Sequence, residues 1–394
     1  MRTALRVFGS CCLAALCLLF VAGCGGSSES GSTVGKVPAN SVRIGLEGPL
    51  TGSQKSVGIG MLNGARLAAD ELNAAGGIGG KKVSIVAIDD AADPPTGVAA
   101  AKAAIAGGLS GVVGPYNSGV GAETLPLYID AGLVPVRLTS ADETEGLGYT
   151  LQPMTSQIAP VATKAITSWL KAKTVAIVFD DSQTYTKSAN DAMKSKLEQA
   201  GVKIVADQAI KPGKKSYESA VTKLDKLKPD LIYAITYYPE GGLIAKAMFE
   251  AKSPATCLAD FGAYDNGFIK AAGTKAAQDC SVVGVPAPDD FPNSAKPLAA
   301  FKKSFNAAPD IWTPYVYDSV NILADAAAKA GGFDSTKLKS ALDAEAKWQG
   351  WTGEVTFDPT TGNRLPAPVA VVTANSSGVF HVDKSWAKAS GFSH

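Results

Sequence analysis

The chain has 394 residues, a formal net charge of +1 and only two histidines. Its length exceeds what a single hydrophobic core usually organises, so we expect two domains. The net charge is close to zero and the sequence contains no basic stripe, and both observations argue against nucleic-acid binding. Because both histidines lie close to the C-terminus, the composition also argues against a histidine-based catalytic triad or metal cluster.

The first residues of the chain indicate a secretory signal. Arg2 and Arg6 precede an apolar run over residues 11–22, which is too short to cross a hydrocarbon core of about 30 Å as a helix. The sequence VAGC, which ends at Cys24, resembles a bacterial lipobox, in which the signal is cleaved before the cysteine and the cysteine is lipidated. We therefore expect a signal peptide over residues 1–23, lipidation of Cys24 and a flexible tether over residues 24–40. The alternative is a plain signal peptide that is cut nearby, with Cys24 incidental.

Cysteine usage after this processing predicts one disulfide bond. Of the six cysteines, three leave with the signal peptide and Cys24 carries lipid, so that only Cys257 and Cys280 remain. In an oxidising compartment two remaining cysteines are expected to pair. Two free buried thiols are the alternative.

The first half of the mature chain alternates between extended apolar runs and helical spacing. Runs typical of buried strands occur at residues 42–46, 83–88, 111–114 and 133–138. Helical periodicity lies between them, at residues 61–72, 99–105 and 122–129. The strands are nearly continuous in apolar residues, which is typical of parallel strands that are covered on both faces.

The same order returns about 130 residues later. Apolar runs occur at residues 174–179, 202–206, 230–235 and 256–259, with helical segments at residues 189–200, 217–227 and 242–251. Two doubly wound α/β lobes follow from this repetition. The last hundred residues predict strands at 281–285, 355–357 and 370–373 and helices at 296–305 and 315–330.

A search for catalytic and metal-binding patterns favours none. No Gly-x-Ser-x-Gly sequence is present, and GGIGGKK at residues 76–82 lacks the spacing of a phosphate-binding loop. Two pairs of aspartates, at residues 89–90 and 180–181, follow predicted strands without a third type of metal ligand nearby. We therefore expect no enzyme activity, no cofactor and no metal site. In open α/β sheets ligands collect beyond the carboxyl ends of the strands, so two facing lobes predict a binding cleft.

Several stretches, taken in order, resemble one family. IGLEGPLTG, GARLAADELNAAGGIGGKKV, DDAADPPTG, GPYNSG, YYPEGG and YDSV resemble the branched-chain amino-acid-binding family of type I solute-binding proteins, which serve ATP-driven (ABC) importers. The resemblance extends from Val42 to beyond Phe357. It implies two Rossmann-like lobes joined by three crossovers, which bind a small solute by closing a hinge, without chemistry.

This resemblance also suggests how the chain divides between the lobes. The N-lobe is expected at residues 41–157 and 287–350, and the C-lobe at residues 158–286 and 351–394.

In the N-lobe, the resemblance implies two loops that hold the carboxylate of the ligand. GPYNSG places Asn117 and Ser118 after the third strand, where a helix begins, so that free N–H groups and a positive dipole end face an anion. An ordinary N-cap is the alternative. In RLTSADET, after the fourth strand, Thr139, Ser140 and the backbone at Ala141 are the candidates.

In the C-lobe, the resemblance implies an aromatic wall and raises one doubt. Tyr185 and Tyr237 match positions that face the ligand, with core packing as the alternative. Amino-acid binders of the family place a carboxylate after the strand that ends here in TCLADFG, to hold the ammonium of the ligand. Phe261 occupies this position, with Asp260 beside it. Either Asp260 takes that role or the solute is not an α-amino acid.

The function favoured by these observations is that of a lipid-anchored, extracytoplasmic, monomeric solute receptor. It would bind a small carboxylate-bearing solute and present it to an ABC permease and its ATPase. A sensory module of the same fold, which serves a membrane signalling partner, is the alternative. An enzyme on a Rossmann-like frame is the less favoured third class.

Overall fold

A computed structural model of the protein describes residues 41–392. The predicted signal peptide, the lipidated Cys24 and the tether lie outside these residues and stay predictions. Within residues 41–392, none of the helices combines the length and the apolar character that a membrane crossing requires.

The described residues form fourteen strands and thirteen α-helices. The strands are β1 (Ser41–Gly48), β2 (Lys82–Asp89), β3 (Gly111–Val113), β4 (Pro135–Arg137), β5 (Tyr149–Thr150), β6 (Thr174–Asp180), β7 (Lys203–Ile210), β8 (Leu231–Ile235), β9 (Thr256–Ala259), β10 (Cys280–Gly284), β11 (Trp348–Gly350), β12 (Gly353–Val355), β13 (Ala370–Ala374) and β14 (Phe380–Val382). The helices are α1 (Lys55–Ala74), α2 (Pro94–Ala106), α3 (Ser118–Asp130), α4 (Thr155–Lys164), α5 (Thr184–Gln199), α6 (Glu218–Asp225), α7 (Tyr238–Ala251), α8 (Asn266–Ala272), α9 (Thr274–Gln278), α10 (Ala295–Phe305), α11 (Thr313–Ala330), α12 (Ser335–Asp343) and α13 (Lys384–Ser390).

The strands form two main sheets with the same internal order. The first sheet is parallel, in the order β2-β1-β3-β4-β5. In the second, the parallel strands follow the equivalent order β7-β6-β8-β9-β10, and β13 and β14 extend its edge in antiparallel pairing. This is a doubly wound order with a switch point between the first and third strands of each sheet, where ligands collect.

Burial along the strands follows their place in the sheet. The central strand β8 is buried at every position and β1 at seven of eight, as expected for parallel strands that are covered on both faces. The edge strands β2 and β7 expose several positions. The predicted strand at residues 202–206 is therefore too short, because exposed polar residues interrupt the apolar pattern of β7 before the strand ends.

Local sequence accounts for the ends of the first two helices. Gly76 and Gly77 follow α1 with φ angles of 103° and 77°, a region that glycine adopts without strain. At the start of α2, the side chain of Asp93 accepts a hydrogen bond from the N–H of Thr96 at 3.0 Å, and a proline occupies the first turn. Both are common boundary signals.

The chain passes three times between the sheets. It crosses after β5, again between β10 and α10, and finally between α12 and β13, where β11 and β12 form a separate hairpin. We call the first sheet with its helices α1–α3 and α10–α12 the N-lobe, and the second sheet with α4–α9 and α13 the C-lobe. The predicted fold of two Rossmann-like lobes joined by three crossovers is thus confirmed.

The predicted disulfide bond is present. Cys257 and Cys280 are directly paired residues on the neighbouring strands β9 and β10, and their sulfur atoms are bonded. The bond links two adjacent strands of the C-lobe, away from the carboxyl ends that face the N-lobe. Of the predictions for the last hundred residues, the strand at 355–357 is wrong in extent, since only Val355 belongs to β12.

Candidate functional site

A cavity lies between the lobes at the carboxyl ends of both sheets. It is lined by Tyr116, Ser118, Leu138, Ser140, Gln152, Tyr185, Tyr237, Phe261 and Gly262. The first five belong to the N-lobe or its first crossover and the last four to the C-lobe. The cavity therefore brings together five of the residues predicted to bind a ligand, from loops that follow β3, β4, β6, β8 and β9.

The cavity is small because the lobes are in contact. The cavity volume is only about 10 Å³. This is close to the space that one water molecule needs. The lobes also touch directly, since the Tyr238 hydroxyl of the C-lobe donates a hydrogen bond to the Ser53 carbonyl of the N-lobe at 3.0 Å. A larger solute therefore requires the lobes or the aromatic side chains to move apart.

Ser118 forms the polar end of the cavity. It is the first residue of α3, and its Oγ accepts hydrogen bonds from the N–H groups of Ser140 at 3.3 Å and Ala141 at 3.1 Å. Because Oγ is the acceptor in both bonds, its own hydrogen is left to donate toward the cavity. A hydroxyl donor at the positive end of a thirteen-residue helix favours an anionic group.

Ser140 and Gln152 continue this polar end. Ser140 Oγ donates to the carbonyl of Pro153 at 2.8 Å and accepts a hydrogen bond from Gln152 Nε2 at 2.8 Å. The buried Oε1 of Gln152 has no hydrogen-bond partner among the described residues. The sequence did not indicate Gln152 as a site residue, because it follows the two-residue strand β5, which leaves no detectable pattern.

Asn117, Thr139 and Ala141 lie behind the cavity rather than on its surface. Asn117 donates its amide N–H to Gln54 Oε1 at 3.0 Å, and its buried Oδ1 has no hydrogen-bond partner among the described residues. The Thr139 hydroxyl lies 2.6 Å from Thr144 Oγ1. Ala141 contributes its N–H to Ser118. The structure therefore gives these three residues supporting positions, and direct ligand contact by the Thr139 side chain finds no support.

Arg137, an unusual residue for a buried strand, ties the N-lobe to the hinge. Its guanidinium donates to the carbonyl of Thr139 at 3.1 Å and to Asn363 Oδ1, in the third crossover, at 2.9 Å. Burial lowers its pKa to about 10. Because it does not line the cavity, Arg137 is not placed to pair with a bound anion.

Aromatic rings form a large part of the cavity wall. The ring centroid of Tyr237 lies 6.1 Å from that of Tyr185 and 6.2 Å from that of Tyr116. Trp312, fully buried immediately before α11, packs behind this wall at 5.4 Å from Phe261 and 5.7 Å from Tyr116. These tilted and edge-on arrangements are typical of stabilising aromatic contacts. Tyr116 and Trp312 were not predicted as part of the site.

Asp260 is engaged by protein groups and does not line the cavity. Its Oδ2 accepts a hydrogen bond from the Tyr185 hydroxyl at 2.6 Å, and its Oδ1 accepts one from the Tyr233 hydroxyl. Burial raises its pKa, and these hydrogen bonds oppose the rise. Asp260 therefore orients Tyr185 at the edge of the cavity.

A pair of buried acidic side chains, one from each lobe, lies where the lobes meet. Burial raises the pKa of Asp265 in the C-lobe and of Asp310 in the N-lobe, and the negative charge of Asp310 raises the pKa of Asp265 further. The positive charge of Lys270 partly offsets this rise. Two buried carboxyl groups that interact in this way favour the protonated form of at least one of them.

A cluster of two aspartates and one histidine lies where the second crossover meets β14. Asp289, Asp290 and His381 present ligand atoms within 4.8 Å of one another. Protein groups already engage this cluster, since Asp290 Oδ2 accepts a hydrogen bond from the N–H of Val382 at 3.1 Å. His381 Nε2 lies 2.8 Å from the amide nitrogen of Asn375. These contacts attach β14 to the crossover.

With this geometry established, comparison with known proteins identifies the family. The model of the family described as periplasmic binding protein matches residues 41–379. The chain is 33% identical over 342 residues to the Leu/Ile/Val-binding protein BraC3 of Rhizobium johnstonii, which covers 86% of this chain and 88% of that protein. The chain therefore belongs to the periplasmic binding protein family, whose members are extracytoplasmic proteins that bind small solutes and work with ABC transporters.

Two solved structures show the same fold. The branched-chain amino acid transporter substrate binding protein LivJ from Streptococcus pneumoniae, in complex with isoleucine, has a TM-score of 0.77 and 24% identity, covering 87% of this chain and 99% of that one. A solute binding protein of an ABC transporter from Rhodopseudomonas palustris, in complex with 3,4-dihydroxybenzoic acid, has a TM-score of 0.77 and 19% identity, covering 87% and 96%. At these identities the likeness concerns the fold alone.

Proposed function

We propose that the protein is the substrate-binding lipoprotein of an ABC importer and that it binds a small carboxylate-bearing solute between its lobes. The observation that carries this proposal is the cavity at the carboxyl ends of both sheets. Its lining combines the Ser118 hydroxyl at the start of α3 with tyrosine and phenylalanine rings. A carboxylate group attached to an apolar or aromatic body matches both kinds of lining group.

Hinge closure around the solute is the mechanism that this arrangement supports. The lobes are joined by three crossovers, and a ligand that touches both lobes favours the closed state by its additional contacts there. Gly119 in α3 faces Thr184 in α5, and a Cβ atom at Gly119 would lie 3.0 Å from Thr184 Oγ1. A residue without a side chain thus lets the lobes approach closely beside the cavity.

The named ligands of related proteins are consistent with a carboxylate-bearing solute. The relative from Rhizobium johnstonii is named for leucine, isoleucine and valine, and the two solved structures hold isoleucine and 3,4-dihydroxybenzoic acid. All of these molecules carry a carboxyl group, although their remaining parts differ. The shared chemistry supports Ser118 as the anchor for the carboxylate.

Anchoring through a lipid on Cys24, action as a monomer and delivery to a permease and its ATPase complete the proposal. The sequence VAGC and the glycine- and serine-rich segment after it support the anchor. In the native bacterium we expect radiolabelled palmitate to be incorporated into the protein and the protein to sediment with membranes. In a Cys24→Ser variant both should be lost, and retention of both would contradict lipidation at Cys24.

A binding experiment tests the site. We expect carboxylates to raise the melting temperature while the matched amines do not, since a ligand at 100 times its Kd stabilises a protein by about 2.7 kcal/mol. Ser118→Ala should weaken binding of the carboxylate at least tenfold in calorimetry. It should also lower the free energy of unfolding by about 1–3 kcal/mol, because the N–H groups of Ser140 and Ala141 lose their acceptor.

A matched control is Ser340→Ala, which changes an exposed serine of α12 and should alter neither quantity. Unchanged affinity in the Ser118 variant would remove this residue from the site. Failure of every carboxylate to bind would refute the proposed ligand class.

A further inference from the structure

Among the residues that the structure describes, none of those lining the cavity carries an acidic side chain with which to hold a cation. Its nine lining residues contribute hydroxyls, one side-chain amide, apolar groups and aromatic rings. Asp260 is buried and directly precedes two lining residues in the chain, but it does not line the cavity itself. Phe261, the next residue, presents its ring there instead.

The hydrogen-bonding capacity of Asp260 is already used by the protein. The hydroxyls of Tyr185 and Tyr233 donate to its two oxygens. Turning this carboxylate into the cavity would break both contacts and leave two buried tyrosine hydroxyls unpartnered. An unmade hydrogen bond of a buried group is costly, so Asp260 is held in place.

An ammonium group in this cavity would therefore lack a counter-ion. The positive end of α3 at Ser118 opposes a cation, and the acceptors of the lining, Gln152 Oε1 and the hydroxyl oxygens, are neutral and bring no negative charge to balance an ammonium. Aromatic rings attract cations, but they do not replace the hydrogen bonds that water supplied. Burying a charge without such partners is strongly unfavourable.

We propose that the cleft selects monocarboxylates, aliphatic or aromatic, that lack an α-ammonium group. In this proposal Phe261 is the specificity-determining residue, and Asp260 is a positioning residue that acts through Tyr185. The inference rests on the proposed function, since it assumes that the cleft binds a carboxylate at Ser118. It departs from the amino acids for which the relative from Rhizobium johnstonii is named.

Matched pairs of ligands test this selectivity. Calorimetry of the purified full chain at pH 7.5 compares leucine with 4-methylpentanoate, valine with 3-methylbutanoate and phenylalanine with 3-phenylpropanoate, each pair differing only in the α-ammonium group. In every pair that binds, we expect the amine-free member to bind at least tenfold more tightly. Equal or tighter binding of the amino acids would overturn the inference and leave the proposed function standing. If none of the six compounds binds, the proposed carboxylate site fails, and the inference falls with it.

Two variants separate the roles of the neighbouring residues. Phe261→Glu places a carboxylate on the cavity wall and should shift the affinity ratio of each pair at least tenfold toward the amino acid, whereas Phe261→Gln, of similar size and uncharged, should not. Asp260→Asn should weaken both members of a pair by the same factor, because it only loosens Tyr185. A selective loss of amino-acid binding in this variant would show that Asp260 contacts the ammonium, and it would refute the assignment even if the Phe261 variants fail to fold.

Discussion

Asp90, directly after β2, makes the stability of the N-lobe depend on pH. It is completely buried, and burial raises its pKa from the usual 3.8 to about 7. Its Oδ1 accepts a hydrogen bond from the N–H of Ala92 at 2.8 Å, whereas its Oδ2 has no hydrogen-bond partner among the described residues. The pKa of the neighbouring buried Glu47 is raised by burial and further by the charge on Asp90. Folding therefore favours the protonated form of Asp90.

The sign and size of the effect follow from this pKa. The folded protein binds the proton of Asp90 more tightly than the unfolded chain does. The stabilisation that this proton gives is therefore fully present below about pH 4 and is lost as the pH rises through about 7. The difference between a pKa of 3.8 and one of about 7 corresponds to roughly 4 kcal/mol of stability, of which about 2.5 kcal/mol is lost between pH 5 and pH 8. Asp90→Asn removes this ionisation. Between pH 5 and pH 8 the unfolding free energy of the variant should therefore fall by about 2.5 kcal/mol less than that of the wild type.

Urea unfolding of the wild type and the variant at pH 5, 6, 7 and 8 measures this difference. A constant cost of the amide, up to about 1–3 kcal/mol if its N–H groups lack partners, cancels in the comparison between pH values. The contribution of Asp318, whose pKa burial raises to about 6, has the same sign and cancels between the two proteins. Asp70→Asn, at an exposed position of α1, is the control. Parallel pH profiles for the wild type and Asp90→Asn would refute the reasoning.

Two further predictions concern the disulfide bond and lobe closure. Replacing Cys257 and Cys280 by serine should lower the free energy of unfolding by about 3 kcal/mol, because the bond closes a loop with a sequence separation of 23; an unchanged urea midpoint would contradict this. Gly119→Val should hold the lobes apart by contact with Thr184, so that small-angle scattering shows no compaction when 3-methylbutanoate is added and affinity falls at least tenfold. Adding Thr184→Ala to this variant should restore part of the compaction and part of the affinity. If Gly119→Val alone compacts as the wild type does, the lobes do not close at this contact.

Strands with long buried apolar runs could be predicted from sequence. The run at residues 256–259 coincides with β9, and the run at residues 174–179 falls one residue short of the end of β6. Short strands were not predicted: β5 has only two residues and β14 three. Such segments carry too few residues for a periodic pattern, and their conformation depends on pairing with distant parts of the chain.

The candidate site was predicted in part because the order of strands sets where each loop emerges. Ser118, Ser140, Tyr185, Tyr237 and Phe261 follow strand ends that meet at one edge of each sheet, and all five line the cavity. Gln152, which follows a strand too short to detect, was missed.

What the sequence by itself determined is the pair of α/β halves, the strand ends as the place for ligand contacts, and the two cysteines left to pair. Only the tertiary structure decided which side chain at each strand end faces the cavity. The contrast between Asp260 and Phe261 shows the reason. These two residues are adjacent in the chain but differ in role. The hydroxyls of Tyr185 and Tyr233 donate hydrogen bonds to the carboxylate of Asp260. The phenyl ring of Phe261 packs against Trp312, which lies fifty-one residues further along the chain. Contacts between residues so distant in sequence form only when the chain folds, and they set the direction of each side chain.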